Sequence, residues 1–499
     1  MTTPELKEAR SGRSFFGHPG GLAVLFGTEL WERFSFYGLS SILVLFLMAD
    51  VAHDGLGMSE TLSVAIASIY SGLVYLTSLP GGWLADRVLG ARRAVFVGGV
   101  IIMLGHISMA LPLGGAAPVF IGLALIVIGS GFLKPNISTL VGRLYDGQSD
   151  ARRDAGFSVF YMGINLGSFL GQLVVPYLAG EAGWHWGFGA AAVGMAVGLV
   201  MYRMGWKSVG GADEGQDPDK PANPLSPVEA RRVLNATLIT TAALVLVFTA
   251  WGFLLPFKSS YIPFIIAVAE IAIALIYFVK IFRQAGGMTA QESSRMKGFI
   301  GLFAASAVFW MLYFQIFSGV LVFIEDSVDR DVLGFLVPSG WVNNISTVFI
   351  LLFAPLFAAL WVKLGEGFSA VKKFTAALFL IGVPFLMLGW LKGSADVTGD
   401  KVGLSWMILV FLLIVFGELS ISPVGMSVTQ QLAPKRIRSE MMGLWFLSLA
   451  LGSPLGGLLY TAMVPAFGQV GFFYALGGLA LVAGVVMLFF TKPLDKMIK

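Results

Sequence analysis

Three charged side chains lie close together inside a stretch that is otherwise apolar enough to cross a membrane. Glu29, Glu32 and Arg33 fall within residues 20–48, and their spacing puts them on one face of a helix with Tyr37. A formal charge at the centre of a membrane costs roughly 2.5–3.5 kcal/mol on insertion scales. Such residues therefore face a protein-lined or aqueous interior, usually to handle protons or a transported solute. The alternative is a structural ion cluster that only joins helices.

Lys134 and Glu418 are two further ionisable residues at membrane depth. Lys134 lies within the apolar residues 117–140, and Glu418 lies within residues 403–431 with no basic residue close to it in sequence. Both patterns predict side chains that face a cavity or pair with a charge on another helix. Asn165 adds an amide that can donate to and accept from a peptide group, although hydrogen bonding between helices would also explain it.

The composition is that of a membrane protein. The chain has 499 residues, of which 57% are hydrophobic and 12% are charged. Soluble proteins carry about 25% charged residues, and one span needs about 20 apolar residues, so the composition predicts about fourteen spans. The absence of cysteine excludes disulfides and cysteine metal sites, and we expect no metal and no cofactor. The net charge of +4 fits membrane topology and not nucleic-acid binding, and the charged N-terminal tail is not a signal peptide.

Fourteen apolar segments predict an all-α polytopic membrane protein in the lipid bilayer. They are residues 20–49, 59–84, 94–113, 117–140, 155–179, 184–205, 233–255, 260–282, 297–324, 337–363, 369–391, 403–431, 439–464 and 468–490.

Basic residues alternate consistently between the loops that join these segments. With the N-terminal tail in the cytoplasm, most Lys and Arg residues fall inside, and only four fall outside: Lys258, Arg330, Lys392 and Lys401. The positive-inside rule therefore predicts a multi-pass protein of the plasma (inner) membrane with both termini in the cytoplasm.

A polar segment about midway along the chain divides six spans from eight. Two of those eight read as an inserted pair, which leaves two bundles of six helices, the layout of major facilitator transporters. The predicted domains are an N-terminal bundle with its tail, a cytoplasmic linker, the inserted pair and a C-terminal bundle: residues 1–205, 206–232, 233–283 and 284–499.

The loop GGWLADRVLGARR, residues 81–93, resembles the cytoplasmic signature of that superfamily. The resemblance implies that Asp86, Arg87 and Arg92 hold neighbouring helix ends together in one transport state. A plain positive-inside loop would explain the arginines but not the placement of Asp86 and the two preceding glycines.

Several motifs together resemble one transporter family over nearly the whole chain. The segment ELWERFSFYG (29–38) is similar to the ExxERFxYYG signature of the proton-dependent oligopeptide transporter family. Other segments resemble further motifs of that family: FYMGINLG (160–167), GELSISPVGMS (417–427), MMGLWFLSLA (441–450) and Lys134 in its KPN context. The extra helix pair matches many bacterial members.

Three positions depart from the pattern of the family. Phe36 replaces the first tyrosine of the signature and loses one hydroxyl. Phe314 stands where members usually carry a carboxylate, and Ser346-Thr347 stand where they tend to carry an Asn-Pro pair.

The resemblance implies a proton-coupled symporter of di- and tripeptides that works by alternating access, and not an enzyme. We expect it to act as a monomer, with protons and peptides as its only small partners. The expected proton-coupling residues are Glu29, Glu32, Arg33 and Lys134. The expected substrate-binding residues are Arg33, Tyr37, Tyr70, Lys134, Asn165, Trp310, Glu418 and Trp445.

Charge complementarity makes this substrate class sensible. Arg33 and Lys134 can take the peptide carboxylate, while Glu418 takes the amino group about 7–10 Å away, the length of a di- or tripeptide. The alternatives are the same fold with another solute, such as nitrate or a drug-like acid, and a peptide receptor that does not transport. Glu270, within 260–282, is interpreted as a local packing or hydrogen-bonding residue and not as a site residue.

Overall fold

The computed structural model describes residues 15–209, 219–221, 223–233, 235, 261–284, 289–433 and 438–498. Nearly all of them are helical. The described residues of the first half form eight α-helices: α1 (Gly20–Ser40), α2 (Leu43–Met48), α3 (Glu60–Leu76), α4 (Ser78–Leu84), α5 (Ala91–Ala110), α6 (Ala117–Arg143), α7 (Asp150–Ala182) and α8 (Trp184–Met204).

The described residues of the second half are also mainly helical. Its helices are α9 (Tyr261–Gln284), α10 (Ala290–Tyr313), α11 (Gly319–Ser327), α12 (Ser339–Leu364), α13 (Ala370–Thr398), α14 (Leu404–Leu432), α15 (Arg438–Phe489) and α16 (Thr491–Ile498). Four two-residue strands lie at one end of the bundle: β1 (Val328–Asp329), β2 (Asp331–Val332), β3 (Phe335–Leu336) and β4 (Val402–Gly403). β1 pairs in parallel with β4, and β2 pairs antiparallel with β3.

The helices agree with the predicted polytopic all-α architecture. Within the described residues, eleven helices or helix pairs are long and apolar enough to span a membrane. The longest, α15, bends at Gly468, whose φ of 66° interrupts the helix, so it accounts for the two predicted spans 439–464 and 468–490. Helix α9 matches the second inserted span, whereas the predicted span 233–255 lies almost wholly outside the described residues.

Packing within each half relies on close helix contacts. α1 packs on α7 and α8, and α5 packs along α6. At the α5–α6 crossing, Gly98 and Gly129 lie against each other's backbone, where a Cβ atom would clash. Glycines at this crossing therefore allow the two helices to approach closely. In the second half, α13 packs between α14 and α15, and α15 also lies against α10.

Three predicted spans are interrupted helices, namely residues 20–49, 59–84 and 297–324. Two of the breaks show how the backbone is satisfied. Residues 20–49 break between α1 and α2, where the Ser41 hydroxyl donates to the Gly38 carbonyl oxygen at 2.7 Å. Residues 297–324 break between α10 and α11 at a 3-10 turn, Phe314–Phe317, and the Asn343 side chain donates to the Ile316 carbonyl oxygen there. Side chains thus satisfy backbone groups that the breaks would leave unpaired in a membrane.

Contacts between the halves close one end of the bundle. Between α3 and α15, Glu60 accepts hydrogen bonds from the Tyr460 hydroxyl and from Gln469, the latter at 2.9 Å. Between α7 and α12, Asn344 donates to the Phe169 carbonyl oxygen at 3.0 Å. All these residues lie at the end that carries the short strands. The structure is therefore closed at that end.

Candidate functional site

The charged residues of α1 form a compact buried cluster. The Arg33 Nε atom lies 2.7 Å from Glu29 Oε1 and 3.2 Å from Glu32 Oε2. Both glutamates are 1% exposed. The helical spacing that places the three on one face therefore brings them together as predicted. One arginine serves two carboxylates, so this part of the site alone carries a net charge of −1 when all three are ionised.

Lys134 of α6 completes the cluster without a direct ion pair in the described part of the chain. Its Nζ atom lies 4.0 Å from the centre of the Phe36 ring and 4.8 Å from that of Tyr75. Desolvated cation–π contacts contribute about 2 kcal/mol, while burial of an ammonium costs several kcal/mol. Lys134 therefore also depends on the electrostatic attraction of Glu29 and Glu32. With Lys134 included, two positive and two negative charges cancel.

A layer of aromatic rings lies between this cluster and the second half of the chain. Tyr75 packs on Phe314 with ring centres 5.7 Å apart, and Tyr37 packs on Phe317 at 5.8 Å. Phe314 also lies 5.6 Å from Trp310. The halves thus meet through rings at membrane depth.

Phe314 occupies the start of the 3-10 turn that interrupts its span. Its ring is 5% exposed and faces Tyr75, the residue that also holds Lys134. Where the family pattern would place a carboxylate within reach of the first half, this chain places an aromatic contact. The departure noted in the sequence therefore places a packing contact between the halves at a position where the family pattern has a carboxylate.

Glu418 lies beyond the aromatic layer, on α14. Its carboxylate is beside the Tyr313 hydroxyl, and its Oε2 atom has no hydrogen-bond partner among the residues that the structure describes. Glu418 also lines a cavity of about 810 Å³. Tyr161 of α7 reaches this cavity from the first half, and the other lining residues belong to α12, α13, α14 and the segment between α12 and α13.

The other residues predicted to bind substrate have different surroundings. Tyr70 packs on Phe36 at 6.2 Å, next to the charged cluster. The Asn165 amide donates to the backbone oxygen of Tyr161 at 2.9 Å, within its own helix. Trp445 is buried inside the second half, 6.1 Å from Phe374.

The open cavity and the predicted substrate site overlap only in part. Among the described lining residues, Glu418 is the one that had been predicted to contact substrate. Arg33 and Lys134 lie deeper, behind Tyr75 and Phe314. The predicted bridging position is therefore filled by rings in this state.

The arginines of the loop 81–93 contact the linker. Arg92 forms an ion pair with Asp219 and donates to the Trp206 carbonyl oxygen at 2.9 Å. Arg87 lies 3.2 Å from Glu229, and the backbone of Asp86 accepts from Asn223 at 2.9 Å. The sequence interpretation gave these side chains neighbouring helix ends as partners. The structure gives Arg87 and Arg92 partners in the linker instead, whereas the Asp86 carboxylate lies within electrostatic range of Arg143, at the end of α6. The hydrogen bond from Arg92 lowers the pKa of Asp219 below its usual 3.8.

Sequence reasoning missed four residues of this region. In the sequence, Tyr75 and Phe317 look like ordinary aromatic residues on the apolar face of a helix. Tyr313 is one of several aromatic residues close together, so nothing distinguishes it. Lys373 lines the cavity but had been counted only as a cytoplasmic positive charge. The sequence feature that could have indicated a role for Lys373 is its position one turn after the start of a helix, in a span with many aromatic residues.

Comparison with known proteins gives one consistent family. The family model described as "POT family" matches residues 92–472. The chain is 37% identical over 491 residues to the "Uncharacterized transporter YclF" of Bacillus subtilis (strain 168), covering 98% of this chain and 96% of the relative. It is 36% identical over 501 residues to the "Di-/tripeptide transporter" of Lactococcus lactis subsp. cremoris, covering 98% of each.

A solved structure, "Crystal structure of peptide transporter POT in complex with sulfate", matches with a TM-score of 0.91 at 39% identity and covers 99% of each chain. The fold and the buried charged cluster thus define a membrane transporter of the major facilitator class. The chain belongs to the POT family.

Proposed function

We propose that this protein carries di- and tripeptides into the cell together with protons, by alternating access. The observation that carries the proposal is the pairing of a self-neutralising cluster in one half with a single carboxylate in the other. Arg33 lies 2.7 Å from Glu29, and Glu418 stands across the aromatic layer with an unpartnered oxygen among the described residues. A zwitterionic peptide complements both. The name of the Lactococcus relative and the family membership support the same substrate class.

Charge balance explains how proton and peptide bind together. With all four groups ionised, the cluster of Glu29, Glu32, Arg33 and Lys134 has no net charge. A proton on either glutamate leaves a net charge of +1 at a buried site, which is costly unless an anion joins it. The carboxylate of the peptide is that anion. Protonation thus favours peptide binding, and loss of the peptide favours release of the proton.

The peptide bridges the two halves. Its amino group binds Glu418 while its carboxylate binds Arg33 and Lys134, so its binding favours closure of the halves around it. In the state described here the Tyr75–Phe314 contact occupies that path, with ring centres 5.7 Å apart. Alternation therefore requires those rings to separate. The membrane potential adds about 2.3 kcal/mol per 100 mV for each charge moved inward.

The proposed moving halves are residues 1–205 and 284–499, joined by the linker 206–232 and the inserted pair 233–283. We place the protein in the plasma (inner) membrane with both termini in the cytoplasm, because the basic loops then fall inside. The closed end then faces outward, and the cavity at Glu418 opens inward. Each chain holds one complete cluster, so the monomer is the transporting unit.

Uptake of labelled dialanine into proteoliposomes tests this function. With an inward proton gradient, we expect dialanine to accumulate above its external concentration, and addition of a protonophore to abolish the accumulation. Liposomes without protein are the control. Equal uphill accumulation after full collapse of the pH and potential gradients would contradict proton coupling. An absence of saturable dialanine uptake under all gradients would contradict the substrate class.

Because the chain contains no cysteine, single cysteines introduced into an otherwise unaltered protein report the topology. Lys401→Cys lies in a loop predicted to be outside, and Arg152→Cys lies in a loop predicted to be inside. A membrane-impermeant thiol reagent added to whole cells should label the first and not the second. Labelling of the second alone would invert the proposed orientation.

A further inference from the structure

The cavity at Glu418 is longer than the peptide that it is proposed to release. Its lining runs along α14 from Glu418 to Gln431, 13 residues apart. At 1.5 Å per residue that is about 20 Å, whereas an extended tripeptide is about 10 Å long. A peptide can therefore occupy more than one position along it. The side of the cavity away from the charged cluster has its own cation, Lys373.

Lys373 is held by an aromatic ring and faces the cavity. Its Nζ atom lies 4.8 Å from the centre of the Trp361 ring. That ring is fixed, since it stacks on Phe368 at 5.9 Å with an interplanar angle of 10° and its Nε1 atom donates to the Leu419 carbonyl oxygen at 3.5 Å. Trp361 thus connects Lys373 to the residue next to Glu418.

The ammonium of Lys373 has bonding capacity left over. Within the part of the chain that the structure describes, no carboxylate lies within ion-pair distance of it. A cation–π contact attracts the charge of the ammonium but accepts no hydrogen bond from its three N–H groups. Those groups can still donate to a ligand. The nearest comparison in the chain is Lys372, which is exposed and donates to the Gly367 carbonyl oxygen at 2.8 Å. Lys372 does not line the described cavity. The two lysines therefore carry the same charge, but only Lys373 is placed to contact a ligand in the cavity.

We propose that Lys373, positioned on Trp361, is a second carboxylate-binding subsite that receives the peptide carboxylate during release at the cytoplasmic side. The inference rests on the proposed peptide transport. When the proton leaves the cluster, Glu29 and Glu32 again neutralise the charges of Arg33 and Lys134. The peptide carboxylate then needs another cation before it reaches water, and among the described residues Lys373 is the cation that lines the cavity. The carboxylate reaches Lys373 when the peptide pivots about its amino group at Glu418 and turns its anionic end into the cavity.

The subsite acts on one side of the membrane only, so the test measures both sides. Dialanine counterflow is recorded in right-side-out and inside-out membrane vesicles for the unaltered protein and for Lys373→Gln, Lys373→Arg and Lys372→Gln. We expect Lys373→Gln to raise the half-saturating dialanine concentration on the cytoplasmic face about tenfold, the effect of one lost hydrogen bond to a charged group. On the external face the change should stay below about twofold on the same scale. Lys373→Arg should restore the cytoplasmic value, and Lys372→Gln should change neither.

Each other outcome overturns the inference. An equal increase on both faces would assign Lys373 a structural role. No difference between Lys373→Gln and Lys372→Gln on the cytoplasmic face would show that the carboxylate does not bind there. A failure of the proposed function can be distinguished from a failure of this inference. In that case the unaltered protein itself would show no dialanine counterflow in either vesicle type. If Lys373→Gln does not reach the membrane, Trp361→Phe serves as the second variant. Phenylalanine offers Lys373 a weaker cation–π contact. We therefore expect a smaller increase in the half-saturating dialanine concentration, again on the cytoplasmic face only.

Discussion

The charged groups of the two halves differ in how they are neutralised. In the first half, Arg33 contacts Glu29 and Glu32, and Lys134 stands over Phe36 beside them. In the second half, Glu418 stands beside a tyrosine hydroxyl, and its open side faces a cavity. The first group can satisfy itself with no ligand bound. The second needs a cation from outside the protein.

Because the charges are neutralised differently, we expect the two halves to have different functions in transport. A cluster that is neutral by itself can gain a proton, become positive and hold an anion, then return to its starting state. A lone carboxylate cannot make that cycle within itself, but it can discriminate for a cationic amino group. Phe314 sharpens the contrast, since it removes a carboxylate from the second half where the family pattern has one. Proton coupling should therefore depend on the first half, and recognition of the amino group on the second.

The largest expected effect comes from breaking the self-neutralising cluster. Glu32→Gln and Lys134→Ala should each abolish gradient-driven accumulation of dialanine. Glu32→Gln leaves the cluster at +1 before any proton binds, and Lys134→Ala leaves it at 0 after one proton binds, so in neither variant does the proton create the charge that holds the peptide carboxylate. Glu32→Gln should retain counterflow, which needs no net proton movement. Glu270→Gln is the matched control, since Glu270 is also buried but lies on α9, outside the site. Concentrative uptake at the unaltered level by either cluster variant would remove proton coupling from the first half.

The next effect comes from the lone carboxylate. Glu418→Gln keeps the shape of the side chain and removes its charge, so it should weaken binding of free dialanine by about tenfold to a hundredfold, the effect of a hydrogen bond to a charged group. N-acetyl-dialanine, which has no cationic amino group, should bind the variant and the unaltered protein equally. Competition against labelled dialanine measures both. An equal loss for both ligands would indicate a structural role for Glu418.

A smaller effect is expected at the contact between the two regions. Phe314→Leu shortens the side chain that packs on Tyr75, 5.7 Å away between ring centres. Because Tyr75 also holds Lys134, the pH dependence of uptake should shift while the protein still folds. Phe314→Glu should shift it further, or else destabilise the protein by burying an unpaired charge. Melting temperature separates these two results. Two well-folded variants with unchanged pH profiles would show that Phe314 does not act on the cluster.

The smallest effect is expected far from both regions, at the linker. Arg92 lowers the pKa of Asp219 below its usual 3.8, so the pair is intact above that pH and is lost only as the pH falls through the lowered value. Asp219 thus stays ionised wherever transport is measured. Asp219→Asn should change the uptake rate by no more than about threefold, in the range of a partly exposed ion pair, and should leave the shape of the pH profile unchanged. A shifted profile would mean that the linker takes part in proton coupling.

Much of the molecule could be predicted from local patterns. The Glu29, Glu32 and Arg33 face follows from helix periodicity, and the structure confirms that these side chains meet. The positions of most spans follow from runs of apolar residues. Partners that come from distant segments could not be predicted in this way. Asp219 and Glu229 as partners of the loop 81–93 depend on how the linker returns to the bundle.

The sequence by itself determined the class of the protein, the approximate limits of most helices, and the charged residues that cannot face lipid. These properties are set by each segment's own hydropathy and helical period, because a membrane requires every span to be apolar and internally hydrogen-bonded. Only the tertiary structure decided that Tyr75 and Phe314 separate the two charged regions, and that Lys373 lines the cavity while Lys372 does not. Those facts depend on how the helices cross and rotate against one another, which is set by packing among side chains from all parts of the chain.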